Sequence, residues 1–243
     1  MKSIFYFFIV IYALSLHAET LTISTGFNEN GAKLLKTLTQ EAFDRVGIEL
    51  DFQKLPNKRS LVNVNNGIYD GEAARIWTIN KVYPNLLPIA PNIHTIDMVL
   101  VSKKNKQVNS LSDLKKHTIG VVRGVKIAKV LAQKYKAHKI IQARNCKTLI
   151  MMLNDDRIDF IIISKIGMLT DLRGVKNQTL YVKHIKEFKV YMQLHKKHKD
   201  LIPAFEKVFL SIQEDGTYQK YYDAHIEEIM SSFTNSLKVV EYD

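Results

Sequence analysis

The chain has 243 residues, 46% of them hydrophobic, which suits an ordinary globular protein of one or two domains. Its single cysteine, Cys146, excludes an internal disulfide. A net charge of +11 raises nucleic acid as a partner, but the N-terminus reads as exported and argues against it. The charge is uneven: residues 103–185 hold 18 Lys and Arg against 5 Asp and Glu, while 19–102 with 186–243 hold 16 against 19. That asymmetry fits an oriented encounter with an anionic partner, membrane surface or solute, or a plain drift toward lysine.

Residues 1–18 read as a secretory signal peptide. Lys2 precedes the run IFYFFIVIYAL, which is short for a membrane span, and Ala18 offers a small residue at the cut. An uncleaved anchor is the alternative. No cysteine sits near the cut to carry a lipid, so the expectation is a free protein in the periplasm of a double-membraned bacterium.

Thr20–Thr25 alternates as a strand, with Leu21 and Ile23 on one face. Gly26–Gly31 is turn-rich. Leu35, Leu38, Ala42 and Val46 recur at helical spacing, and Gly47 ends that helix. Ile48–Leu55 is a second strand. Asn57 is the expected N-cap of a helix with Leu61 and Val64 inward, closed by Asn66-Gly67. Asp70-Gly71 then turns into Glu72-Ala73-Ala74-Arg75-Ile76. Small residues there let another surface approach, and a guanidinium beside them suits a carboxylate. The alternative is that Glu72 and Arg75 pair on a solvated surface. Strand, helix, strand, helix, strand is the pattern of a parallel α/β sheet, whose ligands bind at the carboxyl ends of strands. Thr25–Phe27 and Glu72–Arg75 fall at such ends.

Trp77–Tyr83 reads as a short helix, Leu86–Ile89 and His94–Ser102 as strands, and 103–107 as a polar boundary. Ser110–Asp113 forms a capping box. Thr118–Val122 is a strand, followed by Arg123-Gly124 and a helix from Val125 to about Lys134. Lys139–Gln142 is a weak strand, and a helix from Cys146 carries Leu149, Met152 and Leu153 inward. Asp159–Ser164 is a buried strand. Leu180–Val182 and Phe188–Leu194 are extended runs. Helices follow over Leu201–Ile212 and Tyr218–His225, and the tail after Glu228 carries no signal.

Other constellations are weaker. His195 and His198 are three apart, but Lys196 and Lys197 between them disfavour a metal ion, and no cofactor is expected. Asp155, Asp156 and Asp159 read as a helix-to-strand turn rather than acid–base groups. Phe27, Tyr69 and Trp77 are stacking candidates or core residues.

Four stretches in order, LPNKRSLVNVNNGIYDGEAAR, SLSDLKKHTIGVVRG, LNDDRIDFIII and LHKKHKDLIPAFEKVFLSIQEDGTYQKYY, resemble the bacterial extracellular solute-binding proteins of family three. These are the amino-acid class of type II periplasmic binding proteins. The resemblance implies an α/β fold of two lobes, 19–102 with 186–243 and 103–185. Two crossover strands join them, near Val99–Ser102 and Lys186–Tyr191. It implies a small polar solute held between the lobes of a monomer and offered to an ABC-type permease. The ligand-binding set it implies is Arg75 for a carboxylate, Arg123, Gly124 and Val125 at a helix start, and the position of Ser164; Glu72, Phe27 and Trp77 join the set from their own places at strand and loop ends. Amino-acid binders usually carry an aspartate where Ser164 stands, followed here by Lys165, so an acidic or otherwise different solute is expected. A periplasmic sensor subunit and a dehydratase-like enzyme are the rival functions on this fold.

Overall fold

The computed structural model describes residues 20–27, 29–103, 106–172, 178–231 and 237–242. The expected signal peptide lies outside them. Among the described residues, no helix is long and apolar enough to cross a membrane.

The first half of the chain folds as β1 (Thr20–Thr25), α1 (Glu29–Val46), β2 (Glu49–Lys54), α2 (Asn57–Asn65) and β3 (Gly71–Ile76). Leu21 and Ile23 of β1 and Leu35, Leu38, Ala42 and Phe43 of α1 are fully buried, as their periodicities require. Each such Leu, Ile or Phe contributes about 1.5–3 kcal/mol relative to leaving it in water. Asn57 does not cap α2. Pro56 occupies that position without a side-chain hydrogen bond, its fixed φ of −55° already suiting the chain reversal. Gly67, at φ +75°, closes the turn after α2.

A 3-10 turn, Trp77–Lys81, leads to β4 (Leu86–Pro88) and β5 (His94–Ser102). The middle of the chain then forms β6 (Thr118–Val122), α3 (Lys126–Lys134), β7 (Lys139–Ala143), α4 (Cys146–Asn154), β8 (Phe160–Ser164) and α5 (Lys165–Asp171). The Ser110 capping box is present, with Asp113 bonding back to the Ser110 amide. The last part is β9 (Gln178–His195), α6 (Ile202–Glu214), α7 (Thr217–Ser231) and β10 (Leu237–Glu241).

Two expectations change here. Leu180–Val182 and Phe188–Leu194 are not separate runs but parts of β9, which is 18 residues long. In the tail after Glu228, which carries no sequence signal, the residues to Ser231 finish α7, and Leu237–Glu241 pairs as β10 with Gln178–Val182. Local patterning missed it because LKVVE alternates too weakly to be distinguished from coil.

The sheet runs β2-β1-β3-β9-β5-β8-β6-β7. One core gathers β1, α1, β3, the end of β9 and α6, around Phe43, Phe205 and Phe209. Two further cores flank the strands of the middle segment, around Ile161 and Leu149 on one face and Phe160 and Leu131 on the other. β5 and β9 run through both regions as an antiparallel ribbon. Its register slips once: Met98 faces Lys186 but Val99 faces His184, so Ile185 is an extra residue. A bulge of this kind bends and twists a ribbon, and this one lies where the first core gives way to the others.

Candidate functional site

Strand directions decide what faces what. β9 runs toward the first core, and β3 is antiparallel to it, so β1, β2 and β3 run toward the middle segment. β5 runs the same way, and β8 is antiparallel to β5, so β6, β7 and β8 run back toward the first core. The carboxyl edges of the two sets of parallel strands therefore point at each other, and ligands of such sheets bind at those edges.

On the first edge, Glu72 and Arg75 are three apart on one strand, a spacing that normally puts side chains on opposite faces. They meet because β3 is bulged: Glu72 faces Gln193 and Arg75 faces Tyr191, so three residues advance against two. Arg75 Nη2 lies 2.8 Å from Glu72 Oε1. Both are buried, not solvated. Glu72 is completely enclosed. The Gly26 amide donates to its Oε1 at 3.3 Å, the Ser24 hydroxyl to its Oε2 at 3.3 Å, and the Ser60 hydroxyl to Oε2 as well. Burial pushes the Glu72 carboxyl up from its ordinary value, with Arg75 and these donors opposing. Burial also pushes the Arg75 guanidinium down, against the pull of Glu72, though a guanidinium stays charged at any physiological pH.

Arg75 is the more informative of the two. Its Nη1 donates to the Ala74 carbonyl at 3.3 Å. Among the described residues, its Nε and Nη2 are buried with no hydrogen-bond acceptor. The 2.8 Å approach of Nη2 to Glu72 is thus a charge contact whose angle leaves the N–H protons unused. Leaving buried charged donors unpaired costs about 1–3 kcal/mol or more, and these donors keep the capacity for an acceptor.

Around the guanidinium the strand ends close in. The Phe27 ring lies beneath it, 5.6 Å from ring centre to Cζ, a cation–π contact. Gly26 has no room for a side chain, since a Cβ there would sit 2.6 Å from Arg75 Nη2 and 2.5 Å from Asn57 Cα. Trp77, 46% exposed, packs edge-on against Tyr191 at 4.9 Å between ring centres. The structure therefore brings Phe27, Glu72 and Arg75 together and sets Trp77 at the same strand end. Sequence patterning missed Ser24, Ser60, Gly26 and Tyr191. Only the last two carried any signal, as a loop glycine and a strand aromatic.

On the opposite edge, Arg123 and Gly124 form the turn between β6 and α3 and are exposed, with Gly124 at φ +89°. Val125 stands at the N-cap of α3 and supplies no side-chain cap, so the first amides of that helix keep their capacity for an anion. Ser164 lies at the end of β8, where its hydroxyl accepts from the Gly167 amide at 3.2 Å and caps α5. Lys165 turns to the tail and pairs with Glu241. A cavity of about 220 Å³ adjoins that pair, walled by Asp97, His184 and Tyr242 among others; it sits on the β5–β9 ribbon, and neither Arg75, Phe27 nor Trp77 lines it.

The His195–His198 pair is used internally. His195 Nδ1 accepts from the Lys197 amide, and His198 Nε2 lies 2.7 Å from Asp70 Oδ1. Among the described residues, no group of three or more His, Cys, Asp or Glu is placed to hold a metal ion.

No family model and no curated protein matches this sequence. Solved structures do match its fold. The GluR0 ligand-binding core in complex with L-glutamate superposes with a TM-score of 0.73 at 14% identity, covering 86% of this chain and 98% of that one. An amino acid ABC transporter substrate-binding protein, AbpA from Streptococcus pneumoniae bound to L-arginine, gives 0.65 at 15%, covering 86% and 95%. The VFT2 domain of Bordetella pertussis BvgS, in a doubly substituted form, gives 0.64 at 13%, covering 88% and 93%. At such identity the likeness is one of fold. The chain has the two-lobed α/β fold of the type II periplasmic binding proteins, with β5 and β9 as its crossover strands.

Proposed function

We propose that this protein captures a small carboxylate-bearing solute, an amino acid or organic acid, between lobes formed by 19–102 with 186–243 and by 103–185. One observation carries the reading. Arg75 is a buried guanidinium with unused donors, and it stands at a strand end that points toward the other lobe. Its fork matches the two oxygens of a carboxylate. Glu72, itself held by Ser24 and Ser60, fixes the guanidinium, so the arginine is pre-set and little side-chain entropy is lost on binding. Phe27 and Trp77 pack on the apolar part of the guest. Arg123, Gly124 and Val125 approach from the second lobe, with Ser164 at its adjoining strand end.

The solved neighbours in complex with L-glutamate or bound to L-arginine support a small-molecule ligand on this fold. Closure about the β5–β9 bulge would enclose the solute, and an inner-membrane permease of the ABC type would recognise the closed form. That role places the mature, monomeric protein in the periplasm after removal of residues 1–18. It is binding rather than catalysis: Glu72, the carboxylate nearest the site, is wholly engaged in holding Arg75.

A thermal-shift screen of amino acids and organic acids tests the reading. A ligand at a hundred times its Kd stabilises the native state by about 2.7 kcal/mol, and the melting point rises accordingly. A screen in which no carboxylate raises the melting point would contradict it.

A further inference from the structure

The charge of the two facing edges narrows the solute. Follow each parallel strand past its carboxyl end into the next helical turn. The six stretches are 26–30, 55–59, 77–81, 123–127, 144–148 and 165–168, and the only carboxylate in them by sequence is that of Glu29. The same stretches carry Lys58, Arg59 and Lys81 on the first lobe. On the second they carry Arg123, Lys126, Arg144, Lys147 and Lys165. All are exposed except Lys165, which is half-buried and pairs with Glu241. Four of the five acids of the second lobe lie elsewhere or are engaged. Asp155, Asp156 and Asp159 precede β8, at the amino edge, where Asp156 pairs with Lys103 and Asp159 with Lys106, both at 2.7 Å. Asp113 is spent in its capping box; Asp171 alone reaches the carboxyl edge, where it accepts from the Cys146 amide at 3.2 Å. By sequence the six stretches hold eight Lys and Arg against one Glu, so the two facing edges are net positive.

Two cationic lips repel as they approach. Unit charges about 4 Å apart interact by about 1 kcal/mol even at the dielectric of water, and more as water is excluded. A neutral or zwitterionic guest with one carboxylate answers Arg75 alone and leaves the second lip uncompensated. Resting on the reading of Arg75 above, we infer that the solute is a small anion with at least two negative charges, one oxyanion group on Arg75 and another on the Arg123–Lys126 turn. A di- or tricarboxylate and a phosphate-bearing acid share this chemistry. Such a guest also makes closure ligand-dependent, because it removes the repulsion that holds the lips apart.

Calorimetric titration of the mature protein with succinate, citrate and glycerol 3-phosphate, against glycolate and L-glutamine, tests this. At least one multiply charged probe is expected to bind about tenfold or more tighter than glycolate and glutamine, an advantage that shrinks as salt is raised. Which of the three wins separates the carboxylate from the phosphate source. The exposed pair Arg123→Ala with Lys126→Ala should erase the advantage, leaving the multiply charged probes within about threefold of glycolate, a difference of well under 1.4 kcal/mol. Glycolate or glutamine binding as tightly as every multiply charged probe overturns the inference and leaves the Arg75 reading standing. So does a preference that survives the double substitution. No binding by any of the five overturns both.

Discussion

Arg75 and Glu72 meet across a β-bulge: an extra residue in β3 brings two side chains that a regular strand would separate to within 2.8 Å. The bulge is what makes the site. Without it Arg75 would turn to the opposite face of the sheet and lose Glu72, Phe27 and the strand-end position at once. A buried ion pair is a poor source of stability, because removing two charges from water costs several kcal/mol each. The proposed binding role accounts for the pair and for the donors left over on the arginine.

That argument predicts an asymmetric mutational cycle. Glu72→Ala leaves a buried guanidinium without its counter-charge and should destabilise the fold by about 3–5 kcal/mol. Replacing both partners by apolar groups, Glu72→Leu with Arg75→Met, should recover most of that loss while binding no solute. Urea unfolding of the two variants and the parent measures it. Equal losses in the single and double variants would show that the pair stabilises the fold directly.

Much of the architecture was legible in the sequence because it rests on periodicity. The strands His94–Ser102 and Thr118–Val122 and the helices over Leu35–Val46 and Leu201–Ile212 follow from apolar spacing that only one face can bury. Arg75 could be singled out because an arginine among small residues at a strand end is unusual. The bulge beneath it could not, since two alanines carry no mark of the register they break. Nor could the roles of Ser24 and Ser60, which sit 36 residues apart and come within 2.8 Å only in the fold. The Lys165–Glu241 contact was hidden for the same reason, and it turns toward the tail a charge that the sequence placed near the solute.

His94 gives a pH dependence with a definite sign. Burial, aided by the charge of nearby His225, lowers its pKa from 6.5 to about 4, and its Nδ1 lies 2.8 Å from the Tyr218 hydroxyl. The unfolded chain therefore binds the proton first. Stability is fully present above about pH 6.5 and falls as pH drops toward 4, by about 3 kcal/mol from this group. Thermal melts between these limits should show the fall, and His94→Gln should flatten it. A parent and variant with parallel profiles would remove His94 from the account.

Cys146 offers a clean report on opening of the second lobe. Its side chain is fully buried in the core around Leu149 and Ile161, and burial, with Asp171 nearby, pushes the thiol up to about 12. Only a thiolate reacts readily with maleimides or disulfide reagents. The native protein at neutral pH should resist labelling until denaturant reaches the unfolding transition. Rapid stoichiometric labelling of the folded protein would contradict the packing described for α4.

The most direct test compares the parent with Arg75→Lys, titrated calorimetrically with the best solute from the thermal screen. Lysine keeps the charge and forfeits the fork. The account predicts a loss of at least about a hundredfold in affinity, roughly 2.7 kcal/mol, with the native circular dichroism spectrum retained. An affinity within about threefold of the parent, in a protein that is still folded, would take Arg75 out of the binding site and the central claim with it.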